Sequence, residues 1–145
     1  MDALETRVIH RDLSRNYPTL TRGEGIYLYD SEGNRYIDGS GGSAAVTAIG
    51  HAVPEVLEAM LAQASKLAYA PTHAFTTDAI ETCARLIVEE FAPPEFAKVW
   101  FVSGGSEATD NAIKMAIQYH RERGNGTKHL IIGRRQSFHG ATIAA

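Results

Sequence analysis

The strongest constraint on the fold is an alternation of apolar runs and a helical pattern in the C-terminal third of the chain. The apolar run KVWFV (98–102) precedes a glycine-rich turn and a pattern of apolar residues at helical spacing, which ends before Gly124. A second apolar run, HLIIG (129–133), is followed by a polar turn and the beginning of another helical pattern. Two buried strands joined by a helix predict a right-handed parallel crossover in an α/β architecture. Because such sheets need several strands and cover on both faces, we interpret the chain as part of a larger protein.

The turn SGGSEA (103–108) lies between the first predicted strand and its helix. The first backbone N–H groups of a helix have no partner within the helix, and the helix dipole favours an anion at that end. Gly105 allows the backbone to approach an anion closely, and the hydroxyl of Ser106 adds a donor. Each charge-assisted hydrogen bond contributes about 1.5 to 3 kcal/mol and the dipole about 0.3 to 2, so the hydrogen bonds dominate. The spacing fits a phosphate socket, and it fits equally a helix that Ser103 or Ser106 merely caps.

Ser106 also fits a different chemistry. The sequence GGSEA resembles the nucleophile elbow GxSxG with its last glycine replaced by alanine, which would make Ser106 the nucleophile of a serine hydrolase. Against this, the glycine motif of the oxyanion hole belongs upstream of the elbow, whereas the single His-Gly pair, His139-Gly140, lies downstream. A third alternative is a phosphate-binding fragment without catalytic activity. The phosphate motifs GxGxxG and GxxxxGK[ST] have no match around this turn.

The segment Phe138-His139-Gly140 follows the second predicted strand. Open α/β sheets bind ligands at the carboxyl ends of their strands, so this segment is expected to contact the same ligand as Ser106. Phe138 offers a flat face on which an aromatic ring can stack, and Gly140 leaves room beside it. Packing of Phe138 under a helix is the alternative.

The N-terminal half contains a polar arm, a hairpin, a glycine-rich loop and two helices. The arm covers the first sixteen residues, and the alternating segment from Gly25 to Asp38 predicts a β-hairpin that turns at residues 31–34. The stretch from Gly39 to Gly50 predicts a loop or irregular strand. The helices are predicted to start at Pro54 and near residues 76–78, where Asp78 and Glu81 have capping-box spacing, and Pro93 ends the second.

Composition excludes several classes of function. The net charge of −3 and the pI near 6.0 provide no basic surface for nucleic acid or membranes. No apolar run is long enough to span a bilayer, and the start of the chain lacks a signal-peptide core, so a cytoplasmic protein is expected. The histidines show no metal-ligand spacing, so no metal site is expected.

Two linked motifs carry a family resemblance. FVSGGSEATDNAIKMA followed by HLIIGRRQSFHGAT resembles the class III (ω-amino acid) aminotransferases, and the preceding hairpin and glycine-rich stretch are similar to the N-terminal segment of that family from about Tyr17. The resemblance implies the N-terminal part of a pyridoxal-phosphate (PLP) enzyme of fold type I, a hairpin arm plus the start of the α/β/α large domain. It further implies that Gly105 and Ser106 bind the cofactor phosphate, that Phe138 stacks on the pyridine ring and that His139 lies beside the ring.

The resemblance also implies what is missing. Aminotransfer needs a lysine that holds PLP as a Schiff base and an acid that faces the pyridine nitrogen, and in this family both lie downstream of the motifs found here. None of the four lysines has the family's context, so no catalytic residue is expected in the chain: Lys66, Lys98, Lys114 and Lys128. We expect residues 1–50 to form the arm and hairpin, and residues 51–145 an incomplete PLP-binding large domain that is inactive by itself. The implied partners are a small amino donor (an amine or ω-amino acid), a keto-acid acceptor and a second copy in a homodimer, although related members decarboxylate or isomerise instead.

Overall fold

The protein was analysed as a computed structural model, which describes residues 6–145. The first five residues of the predicted arm therefore lie outside the described residues. The chain divides into two compact units at Phe75 and Thr76. The predicted domain boundary at residue 50 stays a prediction.

The first unit contains a three-stranded antiparallel sheet with the order β1-β2-β3. Strand β1 spans Leu20–Glu24, β2 spans Tyr27–Asp30 and β3 spans Arg35–Ile37. The predicted hairpin is confirmed by the pairing of β2 with β3, in which Leu28 faces Tyr36. Its turn at residues 31–34 forms because Asp30 accepts hydrogen bonds there, which is the usual role of aspartate in tight turns. The sequence analysis did not predict β1.

A loop from Gly39 to Gly50, here called the glycine loop, connects the sheet to helix α1, Pro54–Lys66. The backbone of His51 pairs with that of Gly25 through two hydrogen bonds of 3.1 and 2.8 Å, which fixes the end of the loop to the sheet. Helix α1 begins as predicted, with Pro54 in its first turn, because proline needs no hydrogen-bond acceptor there.

The second unit contains α2 (Asp78–Leu86), a π-helical turn (Ile87–Phe91) that continues it, and α3 (Gly105–Glu122). The predicted capping of α2 by Asp78 is wrong by one residue. Thr77 is the N-cap, and its Oγ1 accepts a hydrogen bond from Ile80 N at 3.2 Å. Helix α3 ends as predicted, with Gly124 just beyond it at φ +77°, a conformation that favours glycine.

The two predicted parallel strands and their crossover are not observed. Within the described residues, neither the segment 98–102 nor the segment 129–133 is a strand, and no helix follows Gly140. A strand exists through hydrogen bonds to a neighbour, and these segments have no strand partner in residues 6–145. Their side chains remain open to solvent, as Trp100 and Ile132 illustrate with 63% and 96% exposure.

No hydrophobic core forms among the described residues. No hydrophobic residue there is buried, and the one residue that is buried as a whole is Asp30, with 5% exposure. Asp30 accepts hydrogen bonds from the Glu32 and Asn34 N–H groups, the Asn34 amide and the Tyr36 hydroxyl. The described elements thus combine strands and helices whose apolar faces are not covered by one another.

Candidate functional site

Helix α3 begins with a free set of backbone donors. Gly104 is its N-cap in an extended conformation, and no side chain caps it. The first hydrogen bond within the helix runs from Ala108 N to Gly104 O at 3.0 Å, so the N–H groups of Gly105, Ser106 and Glu107 have no acceptor within the helix. The alternative in which Ser103 or Ser106 caps the helix is therefore wrong.

The space in front of this turn is open. A methyl group added at Gly104 or at Gly105 would meet no other atom within 4 Å. The nearest acidic group, Glu107, is turned back along the chain, where its Oε2 accepts a hydrogen bond from Ser103 N at 2.8 Å. The backbone N–H groups and the hydroxyl at Gly105 and Ser106 are donors of the kind that bind an anion at the start of a helix.

The structure brings Ser106 together with the segment that follows Phe138 and His139. Ala141 N donates a hydrogen bond to Ser106 Oγ at 3.0 Å, and Thr142 Oγ1 donates one to Ser106 O at 3.3 Å. Gly140 lies so close that an added methyl group would come within 3.1 Å of Ser106 Cα and Oγ. The turn at Ser106 and the segment 138–142, here called the aromatic segment, are therefore neighbours. The predicted strands that were expected to align them are not observed.

Phe138 and His139 have different surroundings: Phe138 is exposed, and His139 lies against Gly133. Phe138 is 83% exposed, which excludes the alternative of packing under a helix within the described residues. His139 lies over Gly133, where an added methyl group would be 3.3 Å from its Cε1. Phe138 thus has its flat faces available next to the segment that contacts Ser106.

Comparisons with known proteins give this arrangement a family. The model of the class III aminotransferase family matches residues 10–145, which is most of the chain. The chain belongs to the class III aminotransferase family.

Individual relatives agree with that assignment. The chain is 39% identical to an aminotransferase of Schizosaccharomyces pombe over 128 residues, which cover 88% of the chain and 28% of the relative. It is 40% identical to the acetylornithine aminotransferase of Neisseria meningitidis serogroup A over 84% of the chain and 30% of that enzyme. It also resembles the ω-transaminase of Pseudomonas jessenii solved in complex with PMP, with a TM-score of 0.86 at 27% identity over 97% of the chain and 32% of that structure. The chain thus spans about a third of the length of the aminotransferases that it matches.

The serine hydrolase alternative finds no support. Within the described residues, Ser106 Oγ has one hydrogen-bond partner, the backbone N–H of Ala141, and neither a histidine nor a carboxylate contacts it. A hydrolase nucleophile needs a base within hydrogen-bond reach.

Sequence reasoning missed two residues that contact Ser106, Ala141 and Thr142. Ala141 acts through its backbone N–H, so its side chain carries no signal. Thr142 acts through a single hydroxyl to a carbonyl, a contact that depends on tertiary structure.

A second polar cluster lies in the first unit, at the base of the glycine loop. Asp38 Oδ2 accepts from Gly42 N at 2.7 Å and lies 2.9 Å from His51 Nε2, and its side chain is 8% exposed. The hydrogen bonds from Gly42 N and from His51 lower the pKa of Asp38 to about 2. Ser43 and Ala45 in the loop have φ of 83° and 57°, so the cluster stabilises a backbone that L-residues rarely adopt.

The described residues contain no group of three side chains able to hold a metal ion. Among the helices of residues 6–145, none combines the length and apolar character needed to cross a membrane.

Proposed function

We propose that the chain is the N-terminal part of a PLP-dependent aminotransferase of fold type I. The whole enzyme moves an amino group from an amine or ω-amino acid to a keto acid. The observation that carries this proposal is the meeting of the free donors at the start of α3 with the segment after Phe138 and His139, in a chain of the class III family.

The residues fit the cofactor. The N–H groups of Gly105 and Ser106 and the Ser106 hydroxyl bind the phosphate dianion, because these N–H groups have no acceptor within the helix and the hydroxyl has its proton free to donate. The exposed ring of Phe138 stacks on the pyridine ring, and His139 lies beside it. These residues therefore recognise both the phosphate and the pyridine ring of the cofactor.

When bound, PLP supplies an aromatic system that accepts the electrons released from the amino donor. The residues of this chain hold and orient that system. The lysine and the acid that complete the chemistry lie outside the 145 residues, so residues 51–145 form an incomplete large domain and the chain is inactive by itself. We further propose that the enzyme is a cytoplasmic homodimer.

The test uses the natural polypeptide that contains these 145 residues. PLP is added to the purified protein, and the visible absorption band of the bound cofactor is followed while amines and ω-amino acids are added without a keto acid. We expect the band to appear with PLP and to disappear with an amino donor, and to return when a keto acid is supplied.

Two variants localise the effect. Ser106→Ala should weaken PLP binding by about 10-fold or more, since one charge-assisted hydrogen bond is lost. Ser103→Ala is the matched control, because its backbone N–H contacts Glu107 and its hydroxyl has no partner within the described residues. Absence of a cofactor band in the unaltered polypeptide would overturn the proposal.

A further inference from the structure

Ser106 is linked to the aromatic segment by more than proximity. Three observations join it to residues 140–142, here called the docking segment: the hydrogen bond from Ala141 N, the hydrogen bond from Thr142 Oγ1 and the close approach of Gly140. They involve both the side chain and the main chain of Ser106. The docking segment is therefore attached to the first turn of α3 at a single residue.

The hydroxyl of Ser106 can serve the docking segment and a phosphate simultaneously. A serine hydroxyl has one proton to donate and two lone pairs to accept with. The bond from Ala141 N uses a lone pair, so the proton remains available to a phosphate oxygen. A hydroxyl that both accepts and donates is polarised in the same direction by both bonds, so each strengthens the other.

The backbone on both sides of Phe138 adopts conformations that L-residues rarely adopt. Gly140 has φ +151°, and a methyl group there would clash with Ala145 and crowd Ser106. On the other side, His139 lies over Gly133, and the intervening turn places Gln136 at φ +53°. The backbone that carries Phe138 is thus held on its C-terminal side by the contacts with Ser106.

We propose that Ser106 is the positioning residue for Phe138, in addition to its contact with phosphate. This inference rests on the proposed function. The hydroxyl and the main-chain carbonyl of Ser106 hold the docking segment, and the docking segment sets the position of Phe138, two residues before it. Recognition of the phosphate and recognition of the ring are therefore coupled through one residue.

The coupling predicts that loosening the docking segment weakens the binding of PLP more than it weakens the binding of inorganic phosphate, which has no ring. Thr142→Val removes a hydroxyl that donates to Ser106 O and that contacts no donor of the phosphate socket. Thr109→Val is the matched control, because its hydroxyl donates to Gly105 O at 3.1 Å in the same turn but has no link to the docking segment.

The experiment measures three quantities for the unaltered natural polypeptide and for Thr142→Val, Thr109→Val and Ser106→Ala. These are the Kd of PLP, the Kd of inorganic phosphate as a competitor, and the circular dichroism of the cofactor band at saturating PLP. We expect Thr142→Val to raise the Kd of PLP about 3-fold, the loss expected for one neutral hydrogen bond, with the Kd of phosphate unchanged. The dichroism should decrease in Thr142→Val and in Ser106→Ala, and stay unchanged in Thr109→Val.

The outcomes separate the two proposals. If PLP binds normally but Ser106→Ala raises the Kd of PLP and of phosphate by the same factor, with unchanged dichroism, Ser106 is a phosphate ligand alone and this inference is wrong. Equal effects of Thr142→Val and Thr109→Val also overturn it. If the unaltered polypeptide binds no PLP, the proposed function fails first and takes the inference with it. Thr142→Val decides the question even if Ser106→Ala does not fold.

Discussion

The Nε2 atom of His51 lies 2.9 Å from Oδ2 of Asp38, and this contact joins the two ends of the glycine loop. Asp38 directly follows β3, and His51 is paired with Gly25 of the sheet. The same carboxylate accepts hydrogen bonds from Gly42 N and Thr47 Oγ1, so it fixes the interior of the loop as well. A loop with two non-glycine residues at positive φ persists because its surroundings determine it from several sides.

Asp38→Asn should release the glycine loop. The Gly42 N–H loses a charged acceptor, so its hydrogen exchange should accelerate about 10-fold, the size expected when a charge-assisted hydrogen bond is lost. Hydrogen exchange of the natural polypeptide, resolved at Gly42, measures this. Asp12→Asn is the control, since Asp12 contacts Ser14 outside the loop. Unchanged exchange at Gly42 would show that the carboxylate does not hold the loop.

Acid should weaken the sheet and the loop in the same range of pH. Hydrogen bonds from the Asn34 amide and the Tyr36 hydroxyl lower the pKa of Asp30 to about 2, and Asp38 has a pKa of about 2 as well, both below the ordinary 3.8. Between about pH 2 and pH 3.8, the carboxyl groups of the unfolded chain bind protons that those of the folded chain do not. The stability that these two groups provide is therefore complete above about pH 4 and is lost toward pH 2.

Hydrogen exchange at Asn34 and Gly42 between pH 5 and pH 2 tests this, after correction for the intrinsic exchange rate. Protection should fall as the pH decreases, and Asp30→Asn should remove the pH dependence at Asn34. The exposed carboxylate of Glu95 provides the control Glu95→Gln. Protection that increases as the pH decreases would contradict the predicted direction of the effect.

The Tyr36 hydroxyl should lose its proton only at a raised pH, because Asp30 raises its pKa. The hydrogen bond that its hydroxyl donates to Asp30 Oδ2 at 2.7 Å raises the pKa of Tyr36 above its ordinary value of 10.0. Removing the negative charge in Asp30→Asn should bring the pKa of Tyr36 down toward 10. The carbon chemical shift of the Tyr36 ring, followed by NMR through the titration, measures it. An identical midpoint in both proteins would show that the contact does not form.

Sequence predicted the parts of the fold that local interactions determine. The hairpin turn is specified by Asp30 and its neighbours within four residues, and α1 by Pro54 and its apolar spacing, so both were predicted. The cap of α2 was missed by one position, because Thr77 and Asp78 are both good capping residues. The N-cap is Thr77, because its backbone is extended where the helix begins. Residues 98–102 and 129–133 were predicted as strands from composition, but their strand character depends on partners that residues 6–145 do not provide.

For the candidate site, the sequence indicated the residue types and the structure supplied the connection. The glycine and serine turn at the start of a helix specifies anion-binding donors through local geometry alone. The contact of Ser106 with Ala141 spans 35 residues and uses a backbone N–H, so no spacing rule could indicate it. The Asp38 and His51 contact was missed for a related reason, since 13 residues of loop separate the partners and neither side chain is in a known motif.

The two adjacent threonines before α2 should differ in their contribution to stability. Thr77 Oγ1 accepts from a helix N–H that has no other acceptor, so Thr77→Ala should lower the free energy of unfolding by about 1 kcal/mol. Thr76→Ala removes an exposed contact with Glu81 and should change it by less than about 0.5 kcal/mol. Urea unfolding of the natural polypeptide compares them. Equal losses would argue against Thr77 as the cap.

The 145-residue chain expressed alone should self-associate. Helix α1 exposes Met60 and Leu61, at 64% and 70%, and no hydrophobic side chain of the described residues is buried. Exposed apolar surface on this scale is removed from water by contact with other chains. Sedimentation at increasing protein concentration should reveal oligomers, and Met60→Lys with Leu61→Lys should shift them toward monomer. In the natural polypeptide the same two substitutions should lower stability instead, because there the helix face is expected to be covered. A monomer that unfolds cooperatively would contradict the proposal that these 145 residues are part of a larger enzyme.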